Sequence, residues 1–291
     1  MAQITHLRAW IILLLFYCGQ GLCQGPLPVQ QPQATPSKPS AATPPIGPPA
    51  VNKSDVMSSG SRIVPLPENQ PFHAAQTYVY SVEWRLFSAG TATIKLDPAG
   101  NEQRIVGTAD GAGAVALLYH VKDQLETFFD SHSFCSLSMT KHTEEGLRRK
   151  ETKIRFDYAR KKVVLDEVNM KNNERKHTES DIPGCVTDVL SSLFYAGSLP
   201  LRVGESYTFP VNDGGKTTDV TIRVEAKEEI KVPAGTFKTV RLQPESAAGV
   251  LKNKGQLWLW YSDDGNHMPV QMRAKMFWGT LTFSLQHFER R

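Results

Sequence analysis

The chain has 291 residues, a formal net charge of +4 from 33 basic and 29 acidic side chains, and 40% apolar residues. That balance is too mild for a nucleic-acid binder, so nucleic acid is not an expected partner. With four cysteines and no Cys-x-x-Cys or Cys/His cluster, neither a structural zinc site nor any other metal or cofactor is expected.

Residues 1–23 read as a secretory signal peptide. Arg8 gives a weakly positive start, and the apolar run Ala9–Tyr17 follows. The run is too short to span a bilayer, which needs about 20 apolar residues, but it suits the core of a leader. Cleavage after Cys23 or after Gly21 fits the small-residue rule. A lipid anchor on Cys18 or Cys23 is disfavoured, because Tyr17 and Leu22 stand where small residues are required. The mature chain is therefore expected to carry no transmembrane span and to reside in the periplasm or outer envelope.

Residues 24–67 are expected to form a proline-rich disordered linker. Gln24–Ala50 alone holds nine prolines in 27 residues. Proline removes donors and fixes φ, and few apolar side chains are present to offset ordering entropy. An extended spacer of this length reaches on the order of 100 Å.

Residues 68–291 read as one mainly β domain: a large curved antiparallel sheet or open barrel of about ten to twelve strands, with one or two short helices packed at one end or in its concave face. Period-2 alternation dominates. Tyr78, Tyr80, Val82, Trp84 and Leu86 share one face of an early strand, while Ser81, Glu83 and Arg85 share the other. Similar alternation marks Ile154–Tyr158, Val270–Met276 and Leu281–Leu285, as expected of antiparallel sheet with one wet face. Turn chemistry at Asp97–Gly100, Asn212–Gly215, Pro233–Gly235 and Asp263–Asn266 separates the strands. Gln256–Tyr261 is apolar on both faces, which predicts either a central strand covered on both sides or one with exposed aromatics.

Two segments break the alternation. Gly113–His120 is short, apolar and helix-compatible. Asp188–Ala196 reads as a helix capped by Thr187 or Asp188 and stopped by Gly197. Its apolar face is expected to plug or lid one end of the curved sheet.

Outside the cytoplasm, Cys135 and Cys185 could form one disulfide or remain two buried thiols. Lys141–Lys176 carries twelve Lys/Arg against seven Asp/Glu. It reads either as contact with an anionic surface, such as lipid head groups or acidic polymer, or as the solvated face of two or three strands.

The sequence offers little for catalysis. No Gly-x-Ser-x-Gly elbow is present, the histidines are scattered, and no catalytic residue is assigned. The nominal carboxylate pairs Asp123/Glu126 and Asp263/Asp264 fit a glycosidase less well than they fit strand and turn positions. Tyr78, Tyr80 and Trp84, with Phe194 and Tyr195 of the helix, are the residues expected to line an apolar cavity in the curled sheet. Ordinary core packing is the alternative.

The order of several short pieces resembles a bacterial exported family known as domain of unknown function 3108. The pieces are Tyr80–Trp84 leading to Ala89–Ala92, Leu118–Asp123, Asp188–Tyr195, Val203–Glu205, Val232–Phe237, Leu257–Trp260, Pro269-Val270 and Gly279–Leu281. The resemblance spans about residues 76–291. It implies an envelope-located antiparallel β domain of the kind seen in lipoprotein carriers and supplies no catalytic residues. The function expected on these grounds is non-catalytic binding of a lipid or other apolar small molecule. The alternative is a structural or assembly role with an envelope protein or wall polymer as partner.

Overall fold

The computed structural model describes residues 62–65, 75–246, 255–276 and 279–291. The expected leader and most of the expected spacer lie outside the described residues. Part of the segment read as spacer nevertheless belongs to the domain: Ile63 is buried in the core, and the amide of Val64 donates to the Tyr195 hydroxyl at 2.9 Å.

Fifteen strands form one sheet. The first eight make an up-and-down meander: β1 (Gln76–Trp84), β2 (Phe87–Ala99), β3 (Glu102–Gly111), β4 (Val121–Asp130), β5 (Ser136–Glu145), β6 (Arg148–Asp157), β7 (Lys162–Asn169) and β8 (Arg175–Asp181). The second run is β9 (Thr187–Asp188), β10 (Ser206–Asp213), β11 (Lys216–Val232), β12 (Gly235–Ser246), β13 (Gly255–Ser262), β14 (Pro269–Met276) and β15 (Gly279–Arg290). β1 pairs antiparallel with β15 and joins the two runs, so the order is β8 through β1, then β15 down to β9. All pairings are antiparallel except β9 with β10. Two helices interrupt the meander: α1 (Gly113–Leu118) between β3 and β4, and α2 (Val189–Ser198) between β9 and β10.

The count exceeds the ten to twelve strands legible in sequence because β8 has no continuous apolar face and β9 is two residues long. β8 is an edge strand, and Arg175, Lys176 and His177 on it are exposed. Charged side chains of this kind discourage pairing with another chain.

The sheet curls until its two halves touch. Lys141 on β5 reaches Asp213 at the end of β10 at 3.3 Å, and both side chains are sheltered. A side chain at Gly215 would stand 3.3 Å from Leu165 on β7. Closure is not by a strand ladder: the amide of Ser136 at the start of β5 donates to the carbonyl of Val186 just before β9, at 2.9 Å. A disulfide joins Cys135 to Cys185 at the same place.

The antiparallel topology sorts the connections into two ends. The β1–β2, β3–β4, β5–β6, β7–β8, β10–β11, β12–β13 and β14–β15 links share one end, here the upper end. The remaining links form the lower end. Alternate residues of each strand point inward, as Val121, Leu125 and Phe129 do on β4 and Leu281, Phe283 and Leu285 on β15. Trp260 on β13 is on the outer face yet buried: Arg273 lies over its ring at 5.3 Å, and its indole N–H donates to Glu228 at 2.7 Å. The doubly apolar strand is thus central, with its outer aromatic sheltered by long polar side chains.

Candidate functional site

Helix α2 fills the lower half of the rolled sheet's interior. Asp188 caps its N-terminus, accepting from the amides of Leu190 and Ser191 at 2.8 and 3.1 Å, and Ser191 completes a capping box. The second carboxylate oxygen of Asp188 accepts from the hydroxyls of Thr127, Ser136 and Ser191 at 2.6, 2.5 and 3.0 Å. Asp188 is 1% exposed, and five donors surround its two oxygens, as a buried carboxyl group requires.

The lower end of α2 is pinned as well. The Tyr261 hydroxyl donates to the carbonyl of Leu193 at 2.7 Å, and the His267 ring lies 2.8 Å from the carbonyl of Gly197. Gly197 does not stop the helix, which continues to Ser198. A side chain there would meet the His267 carbonyl at 3.1 Å and the Tyr261 ring at 3.2 Å, so the glycine serves close approach rather than termination. Gly107, at the middle of β3, also gives the helix room: a side chain there would contact Leu190 at 3.4 Å.

Above α2 the interior is not filled. A cavity of about 190 Å³ lies between the helix and the upper halves of the strands. Its floor is the face of α2 carrying Val189, Leu190, Leu193 and Ala196. Its walls are small and medium apolar residues such as Ala92, Ala109, Val220 and Met272, and Val115 and Tyr119 of the α1 region border it. The polar residues Asp110, Asp213, Lys216 and Ser246 stand where strands reach the upper end. Among the described lining residues there is no His or Cys to act as nucleophile or base.

None of the five aromatics expected to line a cavity borders this one. Tyr78, Tyr80 and Tyr195 are buried core residues, and Trp84 and Phe194 pack partly buried against that core. Their polar tips are already committed: Tyr80 donates to the Pro269 carbonyl at 2.9 Å, and Tyr78 donates to Gln76. Their rings pack around the helix, Tyr195 edge-on to Phe134 and Phe209 at 5.2 and 4.8 Å and Phe194 tilted against Tyr78 at 6.2 Å. The large rings fill the end where α2 enters, and the cavity survives where β2, β3 and β14 present alanine and glycine. That alternation of small residues (Ala89, Ala92, Gly107, Ala109, Ala274) was the available sequence signal.

One polar feature lies beside the cavity. Asp123 on β4 and Glu145 on β5 point inward and are each 2% exposed. One oxygen of Asp123 accepts from the amide of Glu144 at 2.9 Å; its other oxygen and both oxygens of Glu145 have no donor. Burial, reinforced by Glu145, drives the Asp123 carboxyl well above the ordinary carboxylate range, and burial raises Glu145 too. The two carboxyls are neighbours, and each influences the protonation of the other. Glu126, the partner considered from sequence, faces outward and pairs with Arg104. Asp264 holds the β13–β14 turn, and Asp263 pairs with Lys227 at 2.8 Å, so that second pair is turn and surface chemistry. Among the described residues no group of three or more His, Cys, Asp or Glu could hold a metal ion.

The basic stretch 141–176 runs along β5 to β8. Several of its charges form cross-strand pairs: Lys150 with Glu167 at 2.6 Å, Arg155 with Asp166 at 3.0 Å, and His142 with Glu151. Lys141 is buried and turned inward toward Asp213.

No curated protein matches the chain. Among solved structures, the chain resembles a β-barrel-like protein of domain of unknown function 1849 from Brucella abortus, with TM-score 0.54 and 8% identity over 76% of this chain and 100% of that one. A candidate exported protein of YmcC-like fold from Bacteroides fragilis aligns with TM-score 0.30 and 9% identity, covering 76% of this chain and 98% of that one. A candidate lipoprotein from Parabacteroides distasonis aligns with TM-score 0.30 and 11% identity, over 75% and 97%. The first of these shares the β-barrel-like fold. The family model for the protein of unknown function DUF3108 matches residues 79–286, and the chain belongs to that family.

Proposed function

We propose that this protein is an exported, non-catalytic binding protein that takes the apolar part of an amphiphilic molecule, such as a lipid acyl chain, into the cavity above α2. The cavity itself carries this reading. A space of about 190 Å³ is larger than the roughly 150 Å³ apolar cavity that stays dry and accepts benzene. Scaled from that case, it takes about seven or eight carbons. A longer chain would extend past the upper end, where Asp110, Asp213 and Lys216 offer charged partners for a head group. Ligand pockets of this kind are mostly apolar with a few polar groups at the mouth. The leader read in residues 1–23 supports an envelope location.

The test is native mass spectrometry of the purified chain, with solvent extraction of whatever co-purifies, beside uptake of an environment-sensitive fatty-acyl probe. The double substitution Ala92→Leu and Ala109→Leu adds volume to the cavity walls. Binding predicts a lipid or probe adduct in the native chain and its loss in the filled variant. A clean unliganded mass with no probe uptake, in protein of normal melting temperature, would overturn the reading.

A further inference from the structure

Most large apolar side chains that the domain exposes sit on one series of hairpin tips. Leu86 and Phe87 lie at the β1–β2 turn, Leu117 on α1 between β3 and β4, Leu147 at the β5–β6 turn, and Met170 at the β7–β8 turn. Leu86 and Leu117 are 93% and 89% exposed, and Leu147 is 76% exposed. Every upper-end connection of the meander β1–β8 therefore presents one. The lower-end turns of the same strands differ: Gly100-Asn101, Ser131–Ser133 and Ala159–Lys161 carry no large exposed apolar residue.

These tips are tied side by side. The amide of Ala112, ahead of α1, donates to the carbonyl of Ala89 on β2 at 2.9 Å. Gly146 donates to the carbonyl of His120 at 2.8 Å, and Met170 donates to the carbonyl of Arg149 at 2.8 Å. The row from Leu86 to Met170 is thus one continuous rim along the upper end. Cationic side chains stand within it: Arg85, Lys122, Arg148, Arg149 and Lys171 are exposed beside the apolar tips, with Glu83, Asp110, Glu144 and Glu174 among them. Exposed leucines alternating with arginine and lysine make a surface that dips into hydrocarbon while its charges meet anionic head groups.

We propose that this rim docks the domain onto an anionic lipid bilayer, with Leu86, Leu117 and Leu147 entering the interface and Arg148 and Arg149 contacting head groups. The cavity lies in the upper half of the interior, so docking would bring it close to the lipid surface. The docking claim stands on the rim alone and does not require the cavity to bind anything.

Flotation of the purified chain with vesicles tests it. Phosphatidylcholine vesicles are compared with vesicles of equal parts phosphatidylcholine and phosphatidylglycerol. The chain should float with the anionic vesicles and less with the neutral ones. Leu86→Ser, Leu117→Ser and Leu147→Ser together should lower partitioning by about tenfold for each leucine that enters hydrocarbon. Val203→Ser, an exposed residue in the lower-end link between α2 and β10, should leave it unchanged. Arg148→Gln with Arg149→Gln should remove the preference for anionic vesicles. The cavity-filled variant should float like the native chain even where it takes no acyl probe, which separates this proposal from the binding one. Failure of the native chain to float, or equal flotation of the triple serine variant, would overturn it; the latter with capture of a specific envelope protein would reassign the rim to that partner.

Discussion

Replacing Asp188 by alanine tests whether the buried cap holds α2 in the barrel. The substitution removes the acceptor for two buried amides, Leu190 and Ser191. It also removes the shared acceptor of three hydroxyls, but these have substitutes: Thr127 already reaches the Ser138 carbonyl at 3.0 Å, and Ser136 and Ser191 lie 3.0 Å from each other. The net loss is therefore two unpaired buried donors, each worth about 1–3 kcal/mol, with the ordinary cap contribution already inside that sum. We expect a cost of about 3 kcal/mol. Asp188→Asn keeps one oxygen for both amides and should cost about 1 kcal/mol. In urea unfolding followed by intrinsic fluorescence, the alanine variant should shift the midpoint down by about 1 M at unchanged slope. A loss below about 1 kcal/mol, or equal losses for the two variants, would show that packing of Leu190, Leu193 and Tyr195, and not the cap, holds the helix.

Two further perturbations probe the same interior. The Cys135–Cys185 bond spans a sequence separation of 50 residues, for which loop-closure entropy gives about 4 kcal/mol; the double serine variant should unfold at correspondingly lower urea, and an unchanged midpoint would mean that the Ser136–Val186 and Asp188 contacts already close that loop. The Asp123 carboxyl has a folded-state pKa above its unfolded value, so between the two the folded protein holds a proton that the unfolded chain has released. Its stabilising effect is complete below about pH 4 and is lost progressively as pH rises through neutral. Asp123→Asn should flatten the fall in melting temperature between pH 5 and pH 8, and an unchanged slope would remove Asp123 as its source.

Legibility in the sequence followed the physics of each element. The alternation in Tyr78–Trp84 and Leu281–Leu285 exposed its period because those strands bury one face, and the two turned out to be neighbours across the β1–β15 junction. β8 escaped notice because an edge strand bearing Arg175, Lys176 and His177 has no dry face to reveal. The helix was readable from Asp188 and its apolar positions, but its end was misplaced. Gly197 satisfies a contact with Tyr261 and His267, residues about 70 positions away, and local sequence holds no record of that demand. The aromatics expected to line a cavity stand apart from the one above α2 for a related reason. Large aromatics attract attention as ligand-lining groups, yet a ring buried at 0–3% exposure, as Tyr80 and Tyr78 are, has already filled the space it could have lined.

The space left over is found where the chain puts alanine and glycine on the inward face of strands whose neighbours carry leucine and phenylalanine. In this protein those small residues gather on the upper halves of β2, β3 and β14, above a helix held down by a buried carboxylate. A uniformly packed barrel would need no such division. An interior that is dense with aromatics at one end and thinned to methyl groups at the other has a direction, and the apolar hairpin tips lie at the thinned end. The three features (plugged end, hollow end and greasy basic rim) have separate sequence origins, and their coincidence on one axis is the strongest argument for placing the proposed binding at the upper end.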